Sequence, residues 1–365
     1  MSSLGAHRQR GLSIIELMIA MLLGLLLMGG VLQLFLSSKR TYQTNTALSQ
    51  VQESGRFALE FLAFDVRNAG YRGGCLTALT SLLPSSLTQQ ADATDDIRYV
   101  LTTGIQGWST ASNTNDQTPN KTPEWLKPTF NARTSDSDVI FLAHAVTPAG
   151  VLLTGATATQ ISTSAGLPQN RLLIISDPLS CHLFANQSTV SDSRVSLATG
   201  KTFSPHDYST TIAKNTSSST SPNTNGDMAQ LLLYQSVVYY LKDNSDTGVP
   251  SLWRRVYNGL NQPAEELVSG VQRLQIRYAT ATSNGSLSTS GTGIYKDASD
   301  ITDWQSVVSA RIRLLAVSRE RNAVTPNQQL TFNDPPVQGV DPITIADGRI
   351  GQVFTLTVSI RNHLP

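Results

Sequence analysis

The chain has 365 residues, and 27 Lys and Arg against 26 Asp and Glu leave a formal charge of +1. That length supports one large or two modest domains with real cores, and the near-neutral balance gives no electrostatic footing for a direct nucleic-acid partner. Two cysteines, Cys75 and Cys181, in no CxxC pattern, and five scattered histidines argue against a structural zinc site. HExxH, GxSxG, P-loop and GxGxxG motifs are all missing, so neither a catalytic constellation nor a cofactor site is legible.

Residues 1–11 are short, polar and basic, with His7, Arg8 and Arg10. From Leu12 to Leu36 only Ser13, Glu16 and Gln33 interrupt an apolar run. As a helix this run is ~37 Å long, enough to span a hydrocarbon core of ~30 Å. The basic leader is expected to stay in the cytoplasm while the rest crosses. A secretory signal places its small-residue cleavage site after the apolar stretch. Here the small residue, Gly11, comes before it. A cut between Gly11 and Leu12 keeps the membrane helix and exposes a new amine at Leu12. A carboxylate in the bilayer costs roughly 2.5–3.5 kcal/mol and usually has a partner. For Glu16 the nearest cation is that amine, and the pair is best placed between two adjacent helices, where it rewards assembly. The alternative is a simple anchor whose Glu16 snorkels to the headgroups.

The helical pattern continues. Leu48, Val51, Gly55, Leu59, Leu62 and Val66 recur at spacings of three and four, with Phe57, Phe61 and Phe64 as a second stripe beside them. So wide an apolar face predicts packing on a sheet, with the Phe stripe in the core. Glu53, Arg56, Glu60 and Arg67 make the polar side, and Gly70, Gly73 and Gly74 stop the helix near Asn68. Leu12 to Asn68 spans ~85 Å.

Residues 76–137 are rich in Ser, Thr, Asn, Gln and Asp and read as a loop-rich insertion; 187–227, with NTSSSTSPNTNGD, read as flexible surface. Strands are predicted at 138–146, 171–177, 229–242, 251–258, 268–280, 307–318 and 352–361. Phe354, Leu356, Val358 and Ile360 alternate with Thr355, Thr357 and Ser359, the mark of an antiparallel sheet buried on one face. The fold class is α+β, a long N-terminal helix against antiparallel sheet.

Three constellations are weaker. DNSDTG at Asp243–Gly248 lacks the later bidentate Glu of a calcium loop and reads as a polar hairpin turn. His182 beside Cys181 suggests no thiol–imidazole pair, because adjacent residues rarely point together. Arg254 and Arg255 form too small a basic patch to imply a partner.

Gly11-Leu12-Ser13-Ile14-Ile15-Glu16 resembles the prepilin signature of type IV pilins and pseudopilins, with Leu12 where Phe is usual. Residues 34–75, above all ESGRFALEFLAFDVRNAGYRG, with LVSGVQRLQIRYA and DWQSVVSARIRLLAVSR, are similar to PilW-type minor pilins. The resemblance implies a prepilin peptidase that cuts after Gly11 and methylates Leu12. It also implies a subunit contact through Leu12 and Glu16, and no enzyme activity. It divides the chain into a leader (1–11), a transmembrane half-helix (12–36), an amphipathic half-helix (37–70) and a β-rich head (71–365) outside the inner membrane. The implied partners are other minor pilins, the major pilin and a tip adhesin. The implied function is a role in type IV pilus assembly that supports twitching, adhesion or DNA uptake. A J-type pseudopilin of type II secretion, which shares the LWRR strand feature, is the alternative; a membrane-anchored periplasmic enzyme is a remote one. In that compartment Cys75 and Cys181 are expected to form a disulfide closing a loop of about 107 residues, contributing ~4–5 kcal/mol; two buried free thiols are the alternative.

Overall fold

The structure, a computed structural model, describes residues 13–84, 97–99, 101, 103–109, 122–123, 125–131, 133–134, 137–212, 229–282, 285–289, 293–335 and 342–363. The leader, Gly11, Leu12, much of 76–137 and all of 213–228 lie outside them.

Helix α1 (Ile14–Asn68) is a single 55-residue element, about 82 Å long at 1.5 Å per residue. Its first half is exposed on every side. From Ala47 onward a stripe is buried: Ala47, Val51, Gly55, Ala58, Leu62, Ala63, Asp65 and Val66. The stripe is built of small and branched residues at spacings of three and four, so the backbone lies close to what it covers. At Gly55 the contact is closest, since a Cβ there would overlap the Phe354 ring. Gly70 and Gly73 then take positive φ (79° and 87°) and turn the chain away, with Gly70 N–H donating to the Ala143 carbonyl at 2.8 Å.

The strands are β1 (Thr80–Ser81), β2 (Ile105–Trp108), β3 (Val139–Val146), β4 (Leu153–Ala156), β5 (Gln160–Thr163), β6 (Leu172–Ser176), β7 (Cys181–Ala185), β8 (Arg194–Ser196), β9 (Gln230–Asp243), β10 (Pro250–Tyr257), β11 (Glu265–Ser269), β12 (Val271–Thr280), β13 (Val307–Val317), β14 (Gln329–Leu330), β15 (Ile343–Thr344) and β16 (Gly351–Ser359). The large sheet runs β1-β7-β6-β9-β10-β11, with β3 also on β9 and β2 on β3; it is antiparallel except for β1 on β7. A second antiparallel sheet has the order β12-β13-β16. Two smaller sheets, β4-β5-β8 and β14-β15, complete the head.

One core joins the buried stripe of α1 to β12, β13 and β16 and to the near face of the large sheet, through Ile140, Leu142, Val237, Tyr239, Leu274, Ile312 and Val358. A second core lies on that sheet's far face around Trp108, Phe141 and Tyr234, and includes both cysteines. The α+β class and the long helix on sheet stand as the periodicity predicts.

Two expectations are corrected. Residues 187–212, read as flexible surface, are folded: β8 pairs with β5, and Phe203, Tyr208 and Ile212 are buried in a third core. Three apolar anchors outweigh a polar composition because each reaches a preformed sheet face. Similarly, β1, β2, β4, β5, β7, β14, β15 and most of β11 fall in stretches where no strand was predicted; they are two to five residues long, too short for a period to register. The second correction concerns the Phe stripe.

Candidate functional site: the free face of the helix

Phe57, Phe61 and Phe64 are 46%, 39% and 56% exposed, not in the core. The sheets take the narrower stripe of Val51, Gly55, Ala58 and Leu62, whose small side chains permit the close approach that phenylalanine rings would block. The rings are left on the outer flank, in line with the exposed apolar first half of α1. With Glu60, Gln235, Tyr239 and Arg254 they edge a groove of about 510 Å³ that has Asp65 at its wall.

Asp65 is the unexpected member. It occupies a core-stripe position and is 3% exposed. Its carboxylate accepts from His144 Nε2 at 3.0 Å and from the Tyr239 hydroxyl at 2.5 Å. His144 comes from β3 and Tyr239 from β9, so one carboxylate fastens the helix to two strands of the large sheet. Burial, then the Asp65 charge, pushes the Tyr239 hydroxyl well above its ordinary pKa, so it stays a donor. A buried charge is tolerated when it is paired and hydrogen-bonded. The cost remaining is His144 Nδ1, buried with no partner among the described residues. Both residues were visible as anomalies, an acid on an apolar helical stripe and a histidine within VIFLAHAV, but nothing in the sequence joins them.

Glu16 lies in the first turn of α1 and is exposed, with no partner among the described residues. Gly11 and Leu12 lie outside those residues. Cys75 and Cys181 are bonded, with Cα atoms 5.9 Å apart. The bond ties the chain just past α1 to the start of β7. His182, the next residue, points to the opposite face and bonds Tyr208 through Nδ1 at 2.7 Å. Nearby, Asp177 accepts from His206 at 2.6 Å, from Thr211 at 2.9 Å and from two backbone N–H groups, of Leu179 and Ser180. Burial raises the Asp177 pKa, but these bonds outweigh it and hold the carboxyl below its usual range. Burial, and then the neighbouring His206, pushes His182 down to about 4, with Asp177 opposing.

The remaining candidates resolve as local structure. Asn244 caps the turn after β9 by accepting from the N–H groups of Asp246 and Thr247. Arg254 pairs with Glu265, and Arg255 lies over the Tyr257 ring.

Residues 238–362 match the family model described as Type IV Pilus-assembly protein W, and residues 6–32 match the prokaryotic N-terminal methylation motif. The first match runs from the end of β9 through β16 and so includes all three strands of the second sheet, β12, β13 and β16; the second covers the exposed start of α1. Among solved structures, a type IV-like pilin from Thermus thermophilus aligns at 14% identity over 36% of this chain and 67% of its own, with a TM-score of 0.23. A search of curated proteins returns no match.

Proposed function

We propose that this chain, a membrane-anchored PilW-type pilin of the type IV pilus family, works as an assembly subunit, joining other minor pilins in the complex that initiates the pilus and sits at its tip. It is made as a prepilin with its leader in the cytoplasm. The prepilin peptidase cuts after Gly11 and methylates Leu12. Residues 12–36 span the inner membrane, 37–70 carry the head, and 71–365 form that head in the periplasm and later on the cell surface. The major pilin and a tip adhesin are further partners, and twitching, adhesion or DNA uptake follow from the pilus rather than from chemistry in the head.

The observation that carries this reading is the division of α1. Its first half is long and apolar enough to cross a membrane and is covered by none of the described residues, while its second half is locked to the head by a buried stripe and by Asp65. A free apolar helix on a rigid head is a part shaped to be packed by lipid first and by neighbouring helices afterwards. Glu16 then needs a cation, and the amine of Leu12 on an adjacent subunit supplies one.

The test is the N-terminal residue of the protein extracted from its native membrane, read by mass spectrometry, together with counts of surface pili after gene deletion. A chain beginning at methylated Leu12 and a loss of pili are expected. An intact Met1, or unchanged piliation, overturns the reading.

A further inference from the structure

The sheet β12-β13-β16 has two outer edges, and they are treated differently. Antiparallel strands alternate, so every second residue of an edge strand turns its N–H and C=O away from the sheet. On β12 those residues are Leu274, Ile276, Tyr278 and Thr280, and local devices meet each of them. Asp138 N–H donates to the Leu274 carbonyl, and Ile276 N–H donates to the Asp138 carboxylate. Tyr278 exchanges both backbone bonds with Lys296, and Ser288 N–H donates to the Thr280 carbonyl. That edge is closed.

On β16 the phase follows from two bonds at its ends, Ser318 N–H to the Ile350 carbonyl and Ile360 N–H to the Val308 carbonyl. With the β13 register, Phe354, Leu356 and Val358 face β13, and Val353, Thr355, Thr357 and Ser359 face outward. None of these four has a backbone partner in any other strand, turn or loop of the described residues. Eight strong hydrogen-bonding groups therefore stand in a row. Edges left to solvent are normally protected by charge, proline, a bulge or short length. The β11 edge carries Glu265 and Glu266 on a five-residue strand. In contrast, β16 has nine residues, GQVFTLTVS, with no charge and no proline, and its pairing with β13 has no bulge.

We propose that the outer edge of β16 is a docking site for an extended, uncharged segment of another protein, which adds to the second sheet as a fourth strand. Backbone bonds to Val353, Thr355, Thr357 and Ser359 supply the attachment. Side chains on one face of the guest meet the α1 side of the sheet, where Phe354 and Leu356 pack, so apolar residues suit alternate positions. On the other face it runs beside exposed Thr355 and Thr357, so small polar residues suit the rest. A second copy paired antiparallel through the same edge is disfavoured as the guest. Antiparallel pairing of two β16 edges turns one copy by half a revolution in the sheet plane and reverses its α1, which two chains anchored in one membrane do not permit; this exclusion rests on the anchored reading above.

The test is residue-resolved amide hydrogen exchange, comparing the full chain purified in detergent with the same chain in native membranes. The four outward amides should exchange roughly tenfold or more slowly in membranes, while Phe354, Leu356 and Val358 are protected in both. Thr357→Pro removes only an outward N–H, so the β13 ladder stays intact, and it should abolish the slowing. The paired substitution Thr355→Lys with Thr357→Lys checks the result without altering the backbone. Equal exchange in the two states overturns the proposal. Slowing that survives Thr357→Pro in a folded chain also overturns it, since that is face coverage and not strand addition. A Thr357→Cys chain that cross-links mainly to itself assigns the edge to a second copy and overturns the stated guest. These readouts are separate from pilus counts, so this proposal and the assembly reading fail independently.

Discussion

The two halves of α1 obey the same helical rules and face opposite conditions. From Ile14 to about Asn45 large apolar side chains point in all directions, and none is buried. From Ala47 to Val66 the buried positions are mostly small, and the large rings point outward. A helix that must lie on a sheet needs close approach on one side, which glycine and alanine give. A helix that meets lipid needs only length and apolarity. The same element thus carries a specific interface on one half and an unspecific solvent requirement on the other, and substitutions should act accordingly.

The largest effect expected is loss of the bond between Cys75 and Cys181, which sets the exit of α1 against the large sheet. At a sequence separation of 106, the double substitution to serine should cost about 4–5 kcal/mol in the chain-entropy model, measured by denaturant unfolding of the full chain in detergent. Asp65→Ala comes next. It leaves His144 Nε2 buried without its acceptor and the Tyr239 O–H with nothing to donate to, its oxygen still accepting from Arg254, and about 3–4 kcal/mol of destabilisation is expected. A loss under ~1 kcal/mol would mean that the helix is held by its apolar stripe alone.

Gly55→Ala inverts the ordinary rule. In a free helix it would stabilise by roughly 1 kcal/mol. Here the new methyl meets the Phe354 ring, so a net loss of about 1–3 kcal/mol is expected, and Phe354→Leu should recover part of it. The same change at Gly24, with open space around it, should not destabilise the head.

A smaller effect depends on pH. His182 is held near 4 when folded and titrates near 6.5 when unfolded. Below 6.5 the unfolded chain therefore binds more protons, and stability should fall as pH drops from about 6.5 toward 4, by on the order of 2 kcal/mol. Asp177, with its lowered pKa, adds to the loss only below the ordinary carboxylate range, as pH falls through its folded pKa. His182→Gln should flatten the slope between 6.5 and 4.

Smallest of all should be Leu25→Asn or Phe61→Ser. Both residues are exposed, and unfolding of the head should move by less than ~0.5 kcal/mol. On the proposed function, either change should still reduce surface pili. A stability loss with normal piliation would sink the division between the two halves.

Much of this was legible in residue order. Length and apolarity mark 12–36 because a membrane imposes no detailed shape. Alternation marks β16 because Thr355, Thr357 and Ser359 face water, and it marks β13 only through Arg311 and Arg313, since Leu315 and Val317 on the same strand are buried in a core of their own. The helix stop is written in Gly70 and Gly73, whose positive φ few other residues accept. The Phe stripe was misread because periodicity measures how wide an apolar face is, not which part of it the sheets will take. The short strands β1, β2, β4, β5, β7, β14 and β15 were missed because they are held by neighbours rather than by their own pattern.

What the sequence determined on its own was local: an apolar helix with an acid near its start, the place where that helix ends, and strands with one buried face. These depend on side chains a few positions apart, so a linear reading reaches them. Only the tertiary structure decided that Asp65 meets His144 and Tyr239, that the phenylalanines stay outside, and that β12 is closed at its edge while β16 is open. Each of those depends on groups that lie far apart in the chain and become neighbours only when the helix and the two sheets have chosen which faces to bury.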